Sequence, residues 1–77
     1  MSIELEIKNI IADQLGRKAE EIKLTDHVVN DLGADSLDLV EIVMALEDHF
    51  KITIPDDEAN NLKIVELIVN KVTSLKQ

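Results

Sequence analysis

Ser36 and the carboxylates beside it are the residues of this chain whose types and spacing lend themselves to chemistry. The run Gly33-Ala34-Asp35-Ser36-Leu37-Asp38 puts a turn, a hydroxyl and two acids directly ahead of a helical apolar pattern. Three kinds of chemistry fit a serine in that place. The first is helix capping, the commonest task of such residues, which typically stabilises by roughly 1 kcal/mol. Asp35 can cap alone, with Asp38 where a capping box wants an acceptor, and this leaves Ser36 without a task.

The second is nucleophilic catalysis. The string is similar to the Gly-Asp-Ser-Leu hallmark of one hydrolase family, but Ala34 stands in the glycine's place. It is not a Gly-x-Ser-x-Gly elbow either, because Asp38 holds the last position. A serine nucleophile needs a histidine base oriented by an acid, and an oxyanion hole. His27 and His49 are the only histidines. His49 lies near the far end of the helix that Ser36 begins, out of reach at about 1.5 Å of rise per residue. His27 has no sequence partner to fix it, and so short a chain leaves little room for a substrate pocket. The third is attachment of a phosphate-linked group. Free backbone N–H groups and the helix dipole favour a phosphate at a helix start, and another enzyme can supply the chemistry.

The charge distribution bears on that choice. The chain of 77 residues carries sixteen acids and eight bases, a net charge of −8. Between Asp26 and Glu58 ten acids face one base, Lys51, for a local charge of −9. Phosphate-rich nucleic acid is a poor partner for such a surface, and a basic protein surface is a good one. With no cysteine there is no disulfide, thiolate site or thiol nucleophile. No EF-hand loop can be aligned, so no metal site is expected, only loose cation binding to the acids. No apolar run is long enough to enter a membrane as a span, and no signal-peptide pattern opens the chain, which makes the cytoplasm the expected compartment.

The elements that must position Ser36 are helical. Ile3, Ile7, Ile10, Ile11 and Leu15 repeat at helical spacing and predict a helix closed by Gly16. Residues 17–35 show no sustained period, and a loop that long is usually functional. Ile22, Leu24, Val28, Val29 and Leu32 would tack it to the core. A second helix runs from Ser36 to Phe50, stopped by an extended Ile52-Thr53-Ile54-Pro55. Proline followed by Asp56-Asp57-Glu58 starts a short helix to about Asn61. Val65, Ile68, Val69, Val72 and Leu75 form the last. The class is all-α: a small four-helix bundle with one short helix and a long first loop, in a single domain over residues 1–77. Hydrophobic residues make up 45%, and Phe50 is the lone aromatic, so the core is aliphatic.

The second helix has more apolar surface than one core contact uses. At about 100° per residue, Leu39, Ile42, Val43, Leu46 and Phe50 share a face. Leu37, Val40 and Met44 fall nearly opposite, among Asp38, Glu41, Glu47 and Asp48. This second stripe is either covered by the long loop or exposed as an apolar patch rimmed by acids, a common form of docking site. Attachment at Ser36 uses the serine, the charge segregation and the stripe together, since the attaching enzyme must recognise the site.

Asp31-Leu32-Gly33-Ala34-Asp35-Ser36-Leu37-Asp38, then Val40-Glu41-Ile42-Val43-Met44-Ala45-Leu46-Glu47 and Ile54-Pro55-Asp56, resemble the acyl carrier proteins of bacterial type II fatty acid synthesis, essentially end to end. The resemblance implies a carrier with no catalytic site of its own. Ser36 would bear phosphopantetheine from coenzyme A, added by a holo-synthase, and the arm's thiol would hold acyl groups as thioesters. It also implies a monomer that visits malonyl transferase, ketoacyl synthases, reductases, dehydratase and acyltransferases. The acidic docking positions match Asp35, Asp38, Glu41, Glu47 and Asp48, and the apolar ones match Leu37, Val40 and Met44. The family tucks the growing chain between its helices.

Three departures from the family pattern stand out. Leu39 replaces a frequent threonine and would reshape the acyl cavity. Asn60-Asn61-Leu62-Lys63 replaces a more acidic stretch, with no Ser/Thr cap before the last helix. His49 softens the far end of the acidic patch. A carrier of polyketide, aminoacyl or D-alanyl cargo is the alternative, and an acidic adaptor module stands further off.

Overall fold

The computed structural model describes residues 2–76. The domain limits expected from sequence, residues 1 and 77, lie outside that range. The first helix, α1 (Ile3–Leu15), starts where Ser2 accepts the Leu5 N–H at 3.1 Å. Glu4 and Glu6 lie in its first turn, where the helix dipole favours acids. It ends at Gly16, whose φ of 68° is a left-handed conformation that costs glycine nothing. Ile7, Ile11 and Ala12 are its buried face.

The long segment that follows is ordered by the core rather than by a period of its own. One 3-10 turn, Ala19–Glu21, interrupts it, a feature the sequence reading did not include. Ile22, Val28, Leu32 and Ala34 are buried, and Leu24 and Val29 pack partly buried against them. The expected tacking of the loop is thus observed.

The second helix, α2 (Ser36–Phe50), buries Ile42, Leu46 and Phe50 and ends at Lys51, which adopts the left-handed conformation (φ 59°). The extended stretch after it is anchored by buried Ile54, whose N–H donates to Glu47 Oε2 at 2.7 Å. A single turn, α3 (Asp56–Ala59), is shorter than expected and buries no residue. An ion pair between Glu58 and Lys71 links it to α4 (Val65–Lys76), which buries Val65, Ile68 and Val72. The long helix α1 lies against both α2 and α4, with the aliphatic core between the three.

The start of α4 explains how a helix without a Ser/Thr cap is satisfied. Helix starts leave backbone N–H groups unbonded. Here Val65 N–H donates to the Asp26 carbonyl at 3.0 Å and Glu66 N–H to the Leu24 carbonyl at 2.9 Å. Val28 N–H returns a bond to the Lys63 carbonyl at 2.8 Å, and His27 and Ile64 form one antiparallel bridge. The long loop therefore caps α4, and α4 fixes the loop that leads to Ser36. All four helices expected from sequence are present.

Candidate functional site

Asp35 caps α2, as its position before a helical run requires. Its Oδ1 accepts the Asp38 N–H at 2.8 Å, and Asp38 Oδ2 accepts the Asp35 N–H at 3.2 Å, closing a reciprocal box. Ser36 is the first residue of the helix and is exposed, with its hydroxyl outside that box. At the first two helical positions the backbone N–H groups have no intrahelical acceptor, and none of the described hydrogen bonds engages those of Ser36 and Leu37. Ala34 N–H bonds the Val28 carbonyl at 2.8 Å, and Arg17 Nε donates to the Leu32 carbonyl at 3.1 Å. These two contacts hold the approach to the serine on the body of the fold.

The second stripe of α2 is uncovered. Leu37, Val40 and Met44 are 65%, 55% and 61% exposed, so the long loop does not shield them. Asp35, Glu41 and Asp48 are exposed beside them, and Asp38 and Glu47 are half-buried. The five acids are not equivalent. Asp35 and Asp38 also cap the helix, and Glu47 anchors Ile54. Gln14 of α1 donates through Nε2 to Asp38 Oδ1 at 3.4 Å and to Glu41 Oε2. Gln14 is thus part of the acidic face, which the sequence reading missed because its partners lie on the next helix, 24 and 27 residues along the chain.

A cleft of about 470 Å³ opens from Ser36 along the edge of α2 that faces α3, with Val40 and Met44 of the exposed stripe on its rim. Leu39, Val40, Val43, Met44, Ile54 and Ala59 supply its apolar lining, and Glu47, Asp56, Asn60 and Lys63 its polar one. Leu39 and Val43 are only partly buried because they face this cleft rather than the centre of the core. Leu39, expected on one face with Ile42 and Leu46, thus lies at the edge of that face, on the cleft.

Neither histidine is arranged to activate Ser36. His49 Nε2 lies 3.1 Å from Glu6 Oε1, pairing α2 with α1. His27 Nδ1 accepts the N–H groups of Val29 and Asn30 at 3.2 and 3.1 Å, capping a turn of the loop. Among the described residues no group of three or more His, Asp or Glu side chains is gathered to hold a metal ion, and no helix is long and apolar enough to cross a membrane.

The site fits a covalently attached phosphate-linked arm. The hydroxyl is accessible, two amide donors stand free at a positive helix end, and an apolar cleft begins beside it. Comparison with known proteins identifies the family. Residues 6–70 match the family described as "Phosphopantetheine attachment site". A solved structure of a protein provisionally assigned as an acyl carrier protein, from Mycobacterium tuberculosis, is similar at 33% identity and a TM-score of 0.87. The match covers 95% of this chain and 97% of that one. Domains of this family carry covalent phosphopantetheine, work with phosphopantetheinyl transferases and acyl-handling enzymes, and are not themselves catalysts. A capped helix opening on a free serine, in a four-helix fold matched along nearly its whole length, places this chain in the phosphopantetheine-attachment family as a carrier domain of the acyl carrier protein type.

Proposed function

We propose that Ser36 is the attachment residue and that the chain carries acyl intermediates, as thioesters on the thiol of its arm, to the enzymes of type II fatty acid synthesis in the cytoplasm. The observation that supports this most is the division of labour at the head of α2. Asp35 makes the cap, while the exposed Ser36 stands where an apolar cleft and an exposed, acid-rimmed stripe meet. Attachment forms a bond from Ser36 Oγ to the pantetheine-side phosphorus of coenzyme A. The bond between the two phosphates breaks, adenosine 3′,5′-bisphosphate leaves, and the serine proton passes to a base on the transferase.

Leu37, Val40 and Met44, with Asp35, Asp38, Glu41, Glu47 and Asp48, form the surface on which basic faces of the transferase and the synthesis enzymes dock. Apolar contacts supply the affinity there, and the acids supply encounter rate and orientation. The cleft beside Leu39 and Val43 receives the acyl chain.

The test is intact mass before and after incubation with coenzyme A and a phosphopantetheinyl transferase, with Ser36→Ala as control. The expected result is a gain of one phosphopantetheinyl group in the wild type and none in the variant. No gain in folded wild-type protein would return Ser36 to a structural role. Loading of the modified protein by a fatty-acid malonyl transferase then tests the cargo; loading with an amino acid but not malonyl would point to another pathway.

A further inference from the structure

The cleft beside Ser36 contains one cation, Lys63, in a lining whose other charged residues are Glu47 and Asp56. Two backbone hydrogen bonds in series set its position relative to the serine. The Lys63 carbonyl accepts the Val28 N–H at 2.8 Å, and the Val28 carbonyl accepts the Ala34 N–H at 2.8 Å, two residues before Ser36. The Lys63 backbone is therefore joined through one residue to the segment that delivers Ser36, and both side chains border the same open space. The described ion pairs are Lys8–Glu4, His49–Glu6 and Lys71–Glu58, so none of them engages Lys63. Glu47, one of the two acids in the cleft lining, already accepts the Ile54 N–H.

We propose that Lys63 is a positioning residue that binds the phosphodiester linking the arm to Ser36. This inference rests on the carrier reading of Ser36. A phosphodiester on that hydroxyl places a negative charge between Asp35 and Asp38, each of which repels it. The free amides at the head of α2 offset part of that repulsion, and a lysine ammonium on its flexible stem is suited to a phosphate oxygen as a mobile point charge. The pairing holds the arm's first atoms toward the Lys63 side of the cleft. It also gives a use to the Asn60-Asn61-Leu62-Lys63 stretch, where an acid in place of the lysine would add to the repulsion.

The test compares the unmodified and arm-bearing forms of the wild type, Lys63→Met and Lys63→Arg at low salt, by thermal melting and by phosphorus NMR of the diester. Arm attachment is expected to shift Tm more favourably in the wild type than in Lys63→Met, by roughly 2–4 °C, the scale of an exposed ion pair in a domain this small. Lys63→Arg is expected to keep most of that difference, and about 1 M salt to erase it. The phosphorus resonance is expected to move between wild type and Lys63→Met at low salt. Identical resonances, or a Tm loss in Lys63→Met that is equal with and without the arm, would overturn the inference and leave the carrier reading standing. No mass gain on wild-type Ser36 would overturn both.

Discussion

Adjacent residues at the head of α2 carry separate tasks because a helix start needs an acceptor just before its first residue and none on it. Asp35 fills the first position and Ser36 the second. Asp35→Ala is therefore expected to cost about 1 kcal/mol, lowering Tm by roughly 4–8 °C in a domain of this size. Ser36→Ala, an exposed change outside the cap, is expected to stay within about 0.5 kcal/mol of the wild type. Thermal melts of both variants check this, and a loss at Ser36 as large as that at Asp35 would reassign the cap. The Asp35–Asp38 box was legible in the sequence because its partners are three residues apart. Gln14 was not, because it meets Asp38 and Glu41 across separations of 24 and 27 residues that no local pattern encodes.

Among the elements, the long helices were legible and their junctions were not. Helices α1 and α2 begin and end where the caps and apolar periods place them, since those signals lie inside each helix. The cap of α4 comes instead from carbonyls of Leu24 and Asp26, some forty residues upstream, and no side-chain motif announces it. The short helix was overextended because proline and acids mark a helix start while nothing in Asn60-Asn61 marks its end. One turn with no buried residue has little to hold it, given that helix nucleation is unfavourable and tertiary burial usually supplies the stability. Its one described ion pair joins Glu58 to Lys71. Backbone amides of Glu58 to Leu62 are accordingly expected to exchange with solvent at least ~100-fold faster than those of Ile42 and Leu46 in the core. Equal protection would mean that α3 is part of the cooperative core and that the cleft it borders is rigid. Fast exchange would mean that the cleft wall beside Ala59 opens independently of the bundle, as a site that takes and releases a chain requires.

Over the whole molecule, folding and the proposed docking pull on the same charges in opposite directions. A net charge of −8 sits on a body of 28 × 27 × 19 Å. The screening length is about 30 Å at 0.01 M salt, so every carboxylate then feels nearly all the others. At 0.15 M it is about 8 Å, and only neighbours on one face interact. Raising salt over that range is therefore expected to raise Tm by relieving self-repulsion, while slowing encounter with a basic partner by screening the attraction. Glu41→Lys acts on both. It changes the charge by two on the exposed face of α2, so at low salt Tm is expected to rise, less whatever is lost at the Gln14 contact. Attachment of the arm by the transferase is expected to slow several-fold in the same variant, with the gap closing as salt is added. Asp57→Lys makes the same charge change in α3, off the α2 face, and is expected to slow attachment less. Rates and melts across a salt series for the three proteins separate the two effects. Equal attachment rates for wild type and Glu41→Lys at low salt would remove the α2 face from the docking surface. Equal slowing by both substitutions would reduce its role to net charge alone. A variant that folds better but is modified more slowly would locate the cost of recognition in the carboxylates that crowd the head and flank of α2.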